Sequence, residues 1–201
     1  MKQVRIQSKT TDKILSTMQV LANMPFCKTR QDKTNIFVTA LTYYPDKQVI
    51  VGTDAQMMLI WKVNDADLLK ALSMFKEVSW FNYKAKVLEQ VSKPGVFSAL
   101  NYRKLVPMFD SYAKFEELDM KVMDELSIDK PIQLLEYACI CSRTRFKLIH
   151  FERMVNITKE WNTMEFLRNQ EEKPVMLKAN KLRLMAMVMP LRKDRIKIYD
   201  K

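Results

Sequence analysis

Two stretches in the second half of the chain carry the same order of elements. Tyr102 to Phe109, Leu118-Asp119-Met120-Lys121-Val122 and Lys130-Pro131-Ile132-Gln133-Leu134 are echoed by Phe151 to Thr158, Asn162-Thr163-Met164-Glu165-Phe166 and Lys173-Pro174-Val175-Met176-Leu177. Each reads as helix, strand, turn, then a strand opened by Lys-Pro, which predicts a unit recurring at roughly 45–50 residues. A single unit leaves its apolar face bare, whereas two can pack helix beside helix against a continuous sheet. The 201-residue length accommodates four units, hence two domains of about 95–105 residues each. The strongest turn signal, Ser92-Lys93-Pro94-Gly95, falls near the middle, so the expected domains are 1–94 and 95–201, the second ending in a short basic tail.

The first half shows the unit most plainly. Val4 to Ser8 alternates like a strand, Thr10, Thr11 and Asp12 offer helix caps, and Ile14, Leu15, Met18, Leu21 and Ala22 recur at helical spacing up to Pro25. Strands are expected over Asn35–Tyr44, Gln48–Thr53 and Met57–Val63, then a helix over Asp65–Phe75 and strands over Val78–Tyr83 and Lys86–Val91. Past the boundary, Asn101–Phe115 reads as a helix, with Pro107 in its first turn or at a kink. Leu118–Met123, Pro131–Leu135, Leu135–Cys141 and Phe146–Ile149 read as strands. A last helix is expected over Phe151–Trp161, followed by strands at Thr163–Leu167, Pro174–Lys178 and Leu182–Met189. The fold class is α+β: two pseudo-repeated domains, each with two helices on one face of antiparallel sheets.

Composition narrows the function. Lysine and arginine number 34 against 23 acids, a net charge of +11, which makes a polyanion the leading partner, since each neutralised phosphate releases counterions. No long Lys/Arg block occurs, so the fold must assemble the positive surface. With only Gly52 and Gly95 present, the glycine-rich phosphate loops of P-loop and Rossmann proteins are excluded. Cys139 and Cys141, in a run that reads as a strand, are expected to be reduced core thiols, as is Cys27. No stretch reaches the ~20 apolar residues of a membrane helix and the N-terminus lacks a signal-peptide core, so a cytoplasmic setting with no membrane partner is expected.

Catalytic chemistry finds no foothold. For His150 the sequence offers no obvious acid partner and no matching ligand cluster, so it reads as a packing residue, and Glu116-Glu117 and Glu171-Glu172 are expected in turns. The expectation is therefore no enzyme, no metal and no cofactor.

One further stretch is distinctive: the apolar run Leu184-Met185-Ala186-Met187-Val188-Met189, which stops at Pro190-Leu191-Arg192. Residues 4–63, with Thr53-Asp54 after the third strand, resemble the first half of the second domain of the bacterial DNA polymerase III beta subunit, a DNA sliding clamp. Residues 146–192 resemble the closing half of that family's third domain, which ends in Val-Met-Pro-Met-Arg, against Val188-Met189-Pro190-Leu191-Arg192 here. Residues 64–145 match by pattern only. The family's Gly-His-Arg after Thr-Asp is replaced by Ala55-Gln56-Met57, which removes a charge and a flexible backbone position.

The resemblance implies a processivity factor for DNA replication. In the family six domains close a ring around duplex DNA, so a two-domain chain implies a homotrimer formed head to tail, of phage or bacterial kind, working in a bacterial cell or phage-infected host. It further implies a cleft for a short linear motif of DNA polymerase and of the clamp loader, lined by Thr53, Met58, Met187, Met189, Pro190 and Leu191, with Arg192 at its rim. Double-stranded DNA would be held without regard to sequence by helix-borne charges, for which Lys13, Lys70, Lys76, Arg103, Lys104, Lys114, Arg153 and Lys159 are the candidates. Two other readings of the charge stay open at this point: a non-ring, basic nucleic-acid-binding accessory or transcription factor, and an interaction protein with an acidic protein partner.

Overall fold

A computed structural model describes residues 2–23, 25–28, 35–37, 40–54, 56–93, 113–118, 132, 135, 139, 146–158, 164–168, 174–179 and 182–189. The chain divides into two compact units, Met1–Lys104 with Lys181–Met185, and Leu105–Asn180 with Ala186–Lys201.

The first unit opens with β1 (Gln3–Arg5) and α1 (Lys9–Ala22), followed by the hairpin β2 (Pro25–Lys28) and β3 (Asn35–Phe37). Then come β4 (Leu41–Tyr44), β5 (Val49–Thr53), β6 (Met57–Lys62), α2 (Ala66–Leu72), β7 (Ser79–Lys84) and β8 (Val87–Val91). Its main sheet runs in the order β1-β8-β7-β4-β5-β6, antiparallel throughout. Beyond β6, the Lys62 N–H donates to the Arg183 carbonyl at 2.9 Å.

Helix α1 covers the apolar spacing from Ile14 to Ala22 but starts earlier than expected: Thr10, Thr11 and Asp12, read as caps, lie in its first turn. Ser8 caps it, its hydroxyl accepting from the Thr11 N–H, and Ile14, Leu15, Met18 and Leu21 are all buried. Those four side chains contribute roughly 6–12 kcal/mol by area removed from water, several times what its hydrogen bonds to the sheet supply at about 1 kcal/mol each. The helix lies on β5, and the approach is close: a Cβ built on Gly52 meets the Met18 carbonyl oxygen at 2.8 Å, Met18 Cβ at 3.0 Å and Leu41 Cδ2 at 3.1 Å. Orientation comes from polar contacts to β7. The buried Gln19 side chain accepts from the Tyr83 N–H at 2.8 Å, and the Tyr83 hydroxyl donates to the Asp12 carboxylate at 2.6 Å. Phe75, just past α2, meets Phe81 edge-on at 5.0 Å, so both helices occupy one face of this sheet.

The second unit contains β9 (Ala113–Leu118), α3 (Leu148–Thr158), β10 (Met164–Arg168), β11 (Val175–Ala179) and residues Ala186–Val188 of β12 (Leu184–Val188). The strand order is β12-β11-β10-β9, with β10 antiparallel to both β11 and β9. Phe146 and Phe151 pack edge-on at 5.8 Å beside the start of α3, and His150 is buried there. Among the described residues no helix is long and apolar enough to cross a membrane.

Several expected elements are different. Ile132, Leu135 and Cys139 are helical, not strand; their spacing of three and four residues is that of one helix face, and short apolar runs do not distinguish the two by themselves. Of the two Lys-Pro strands expected, the one at Pro174 forms as β11, whereas Ile132 and Leu135 of the other are helical and Lys130-Pro131 lies outside the described residues. Ala113 to Phe115 belong to β9 and not to a helix, and Leu148 and Ile149 open α3 instead of ending a strand. The strand β2 was not anticipated, because Pro25 reads as a stop to α1 and is in fact the first residue of the next strand, where a missing N–H is tolerated. The expected stretches at 101–112 and 119–131 lie outside the described residues.

The scarcity of glycine leaves its mark on the turns. The two-residue hairpin between β7 and β8 places Ala85 at φ 50° and Lys86 at φ 63°, positions that asparagine and glycine fill at lower cost. Lys86→Gly is expected to raise stability by about 1 kcal/mol, whereas Gly52→Ala should lower it by about 1–3 kcal/mol, both read from urea unfolding midpoints. Unchanged stability for Gly52→Ala would mean that α1 does not sit this close to β5.

Candidate functional site

Thr53 and Asp54 first serve the turn between β5 and β6. The Asp54 carboxylate accepts from the backbone N–H of Gln56 at 2.9 Å and of Met57 at 2.7 Å, while the Thr53 hydroxyl donates to the Met57 carbonyl at 2.6 Å. Both side chains are buried, at 5% and 1% exposure. Aspartate is the residue that mimics a backbone turn in this way, so the Thr-Asp signature has a local structural cause. Sequence reasoning noted Asp54 as part of the Thr-Asp motif but not its turn-forming role, for which an aspartate directly after a strand and three residues before the next is the available signal. Asp54→Ala is expected to cost about 1.5–3 kcal/mol, the range for hydrogen bonds to a charged group, in denaturant unfolding; a loss below about 0.5 kcal/mol would deny the turn this role.

The residues proposed for a peptide cleft are placed as follows. Thr53 and Met58 are directly opposed across β5 and β6, and Met58 is buried. Met187 is buried in β12, whereas Met189, the next residue but one, is 39% exposed. Pro190, Leu191 and Arg192 lie outside the described residues.

The candidate cations fall on several elements. Lys13 is exposed on α1, Lys70 is exposed in the last turn of α2, and Lys76 is exposed shortly beyond it. On α1 the same stripe carries Lys9, four residues before Lys13 and also exposed, which the sequence reading left out and which helical spacing identifies. Arg153 is half-buried on α3. Lys114 is corrected: it lies in strand β9, not on a helix. Arg103, Lys104 and Lys159 lie outside the described residues.

The helices that carry Lys13 and Lys70 are tied at their starts. Asp65 caps α2, accepting from the Leu68 N–H at 3.0 Å, and also accepts from the Thr11 hydroxyl of α1. Burial pushes the Asp65 carboxyl up, but the Thr11 hydroxyl and the backbone N–H groups of Leu68 and Asp67 outweigh it and hold the group below its ordinary value. Nearby, burial, the hydrogen bond to Asp12 and the charge of Asp12 push the Tyr83 phenol well above its usual range. A carboxyl whose folded pKa is depressed adds stability above its unfolded pKa of about 3.9 and loses it as pH falls through the folded value. Thr11→Val should therefore be less stable than the parent chain near neutral pH, with the gap closing in strong acid. A gap that stays constant with pH would show that the hydroxyl does not act through the Asp65 carboxylate.

No family model and no curated protein matches the chain. Solved structures do. Against the DNA polymerase III beta sliding clamp of Bartonella birtlesii bound to griselimycin, 94% of this chain aligns with 66% of that chain, at 10% identity and a TM-score of 0.50. The Helicobacter pylori beta clamp in complex with diflunisal aligns over 94% of this chain and 66% of that one, also at 10% identity and a TM-score of 0.50. The chain thus spans 66% of the length of these structures. At 10% identity the likeness is one of fold: the chain has the α+β fold of the DNA sliding clamps.

Proposed function

We propose that the chain is a DNA polymerase processivity factor, a scaffold and not an enzyme, which closes as a ring of three copies around duplex DNA. The observation that carries this reading is the sliding-clamp fold, extended over 66% of the clamp chain. Two further features support it. Lys9, Lys13, Lys70 and Lys76 are exposed on or just after the two helices that share one face of the first unit, a placement suited to holding phosphates without reading bases. Among the described residues, β1 ends the strand order of the first unit and β9 that of the second; such edges pair with another chain unless blocked, and two unlike edges give the heterologous contact that a closed ring requires.

Polymerase, and a clamp loader where one acts, would be tethered through a short linear motif on the segment Met187–Arg192. Met189 offers an exposed, adaptable thioether at its centre, and Pro190 and Arg192 add a missing donor and a charge for the motif. The working place is then the cytoplasm of a bacterial cell or phage-infected host.

Topology provides the test. Protein loaded on a nicked circular plasmid should stay with the DNA through gel filtration at moderate salt and be lost once the plasmid is cut to a linear form. Equal retention on circle and linear DNA would overturn the ring and favour a non-ring DNA-binding protein.

A further inference from the structure

The face of the first unit's sheet that points away from α1 carries its own chemistry. Along β7, Phe81 and Tyr83 turn toward the helices, Phe81 being buried and Tyr83 bonded to Asp12 of α1. Trp80, Asn82 and Lys84 therefore turn to the opposite face. On β4 the same alternation sends Leu41 toward Gly52 and α1, and Thr42 and Tyr44 away. Thr42 is paired directly with Trp80, so Tyr44 and Trp80 are diagonal neighbours about 7–8 Å apart along adjacent strands. Both aromatic residues are half-buried.

Cations surround the aromatic pair. The Lys93 ammonium stands over the Trp80 ring, 5.8 Å from its centroid. Lys84 shares the strand with Trp80, and Arg5 lies in the same transverse row, Lys84 opposing Val87 and Val87 opposing Arg5. Across the sheet Lys62 opposes Val49, which opposes Tyr44. All four cations are exposed. In the adjacent row Glu89 accepts a hydrogen bond from the Gln3 amide at 2.9 Å and keeps its charge, so these four cations outnumber the one acid that the described strands place on this face.

We infer that this sheet face binds single-stranded nucleic acid, with Trp80 and Tyr44 as stacking platforms and Arg5, Lys62, Lys84 and Lys93 as phosphate contacts. Trp80 is half-buried and Lys93 exposed, so part of the ring is reachable from solvent. A nucleobase has a π-face that stacks on indole with little regard to sequence, and the displaced lysine is placed to meet the adjoining phosphate. An acidic peptide satisfies the cations but has no use for the paired aromatic rings, and duplex DNA hides its base faces. The strand bound here is outside any ring, on the opposite sheet face from Lys13, so this activity is separate from encirclement.

The test is fluorescence anisotropy of a labelled oligo-dT of fifteen nucleotides with the full chain at low salt, with tryptophan emission as a second readout, the share of Trp80 among the three tryptophans being taken from the difference between the parent chain and Trp80→Phe. Binding should quench tryptophan emission and weaken as salt rises. Trp80→Ala should weaken it by about tenfold or more, while Trp80→Phe retains most of the affinity. Lys84→Ala with Lys93→Ala should lower both the affinity and its dependence on salt, and Lys13→Ala should leave oligo-dT binding unchanged. Absence of oligo-dT binding, or equal binding by Trp80→Ala and Trp80→Phe with native circular dichroism, would overturn the inference. Tighter, Trp80-dependent binding of poly-glutamate than of oligo-dT would overturn it in favour of an acidic protein partner.

Discussion

The seating of α1 on β5 at Gly52 is the contact on which the first unit depends. With the Met18 carbonyl oxygen 2.8 Å from where a Cβ would stand, the helix rests almost on the strand backbone, and no other residue type fits without movement. That approach lets Ile14, Leu15, Met18 and Leu21 reach the sheet and disappear from solvent. Burial supplies most of the energy, but it is non-directional. The bonds from Tyr83 to Gln19 and Asp12 fix which way the helix points, and the Thr11–Asp65 link fixes α2 relative to it. One consequence is functional: Lys9 and Lys13 are held outward as a stripe because the opposite side of the same helix is committed to the sheet.

A sheet with helices on one face has a second face, and the two are used differently. The helix side combines a deep apolar core with cations carried at its surface. The far side is divided: Val49, Val51, Thr53, Met58 and Ile60 are buried, whereas Thr42, Tyr44 and Trp80 remain partly open. Strand alternation alone produces this division of labour, since one residue in two must face away from the helices. In a chain of net charge +11 without any long basic run, exposed cations thus stand on both sides of the first unit, Lys9 and Lys13 with the helices and Arg5, Lys62 and Lys84 on the far face, as expected where a fold and not a tail assembles charge.

Most of the first unit was legible in the sequence because its signals agree. Helical spacing from Ile14 to Ala22 and the β-branched apolar run Val49-Ile50-Val51 point to the structure that forms, although the cap is Ser8 and not Thr10, Thr11 or Asp12. The second unit was harder to read where apolar runs were short. Ile132, Leu135 and Cys139 fit a strand run as well as a helix face, and their helical state emerges only with the chain folded around them. The echo of Lys130-Pro131-Ile132 in Lys173-Pro174-Val175 suggested the repeat, yet Ile132 is helical where Val175 is in a strand. At the candidate site, Thr53-Asp54 drew attention as part of a family motif, yet the local bonds of Asp54 to Gln56 and Met57 explain those residues as a turn. Trp80 carried no sequence signal of its own; its setting depends on a register that brings Thr42, Tyr44 and Lys93 near it.

The central claim is that a chain two thirds the length of a clamp subunit closes the ring with more copies of itself. The mass of the protein in solution, measured by multi-angle light scattering with and without circular duplex DNA, tests this most directly. Three copies of the 23.8 kDa chain, free or assembled on the DNA, is the result the account predicts. A single copy under both conditions would contradict it.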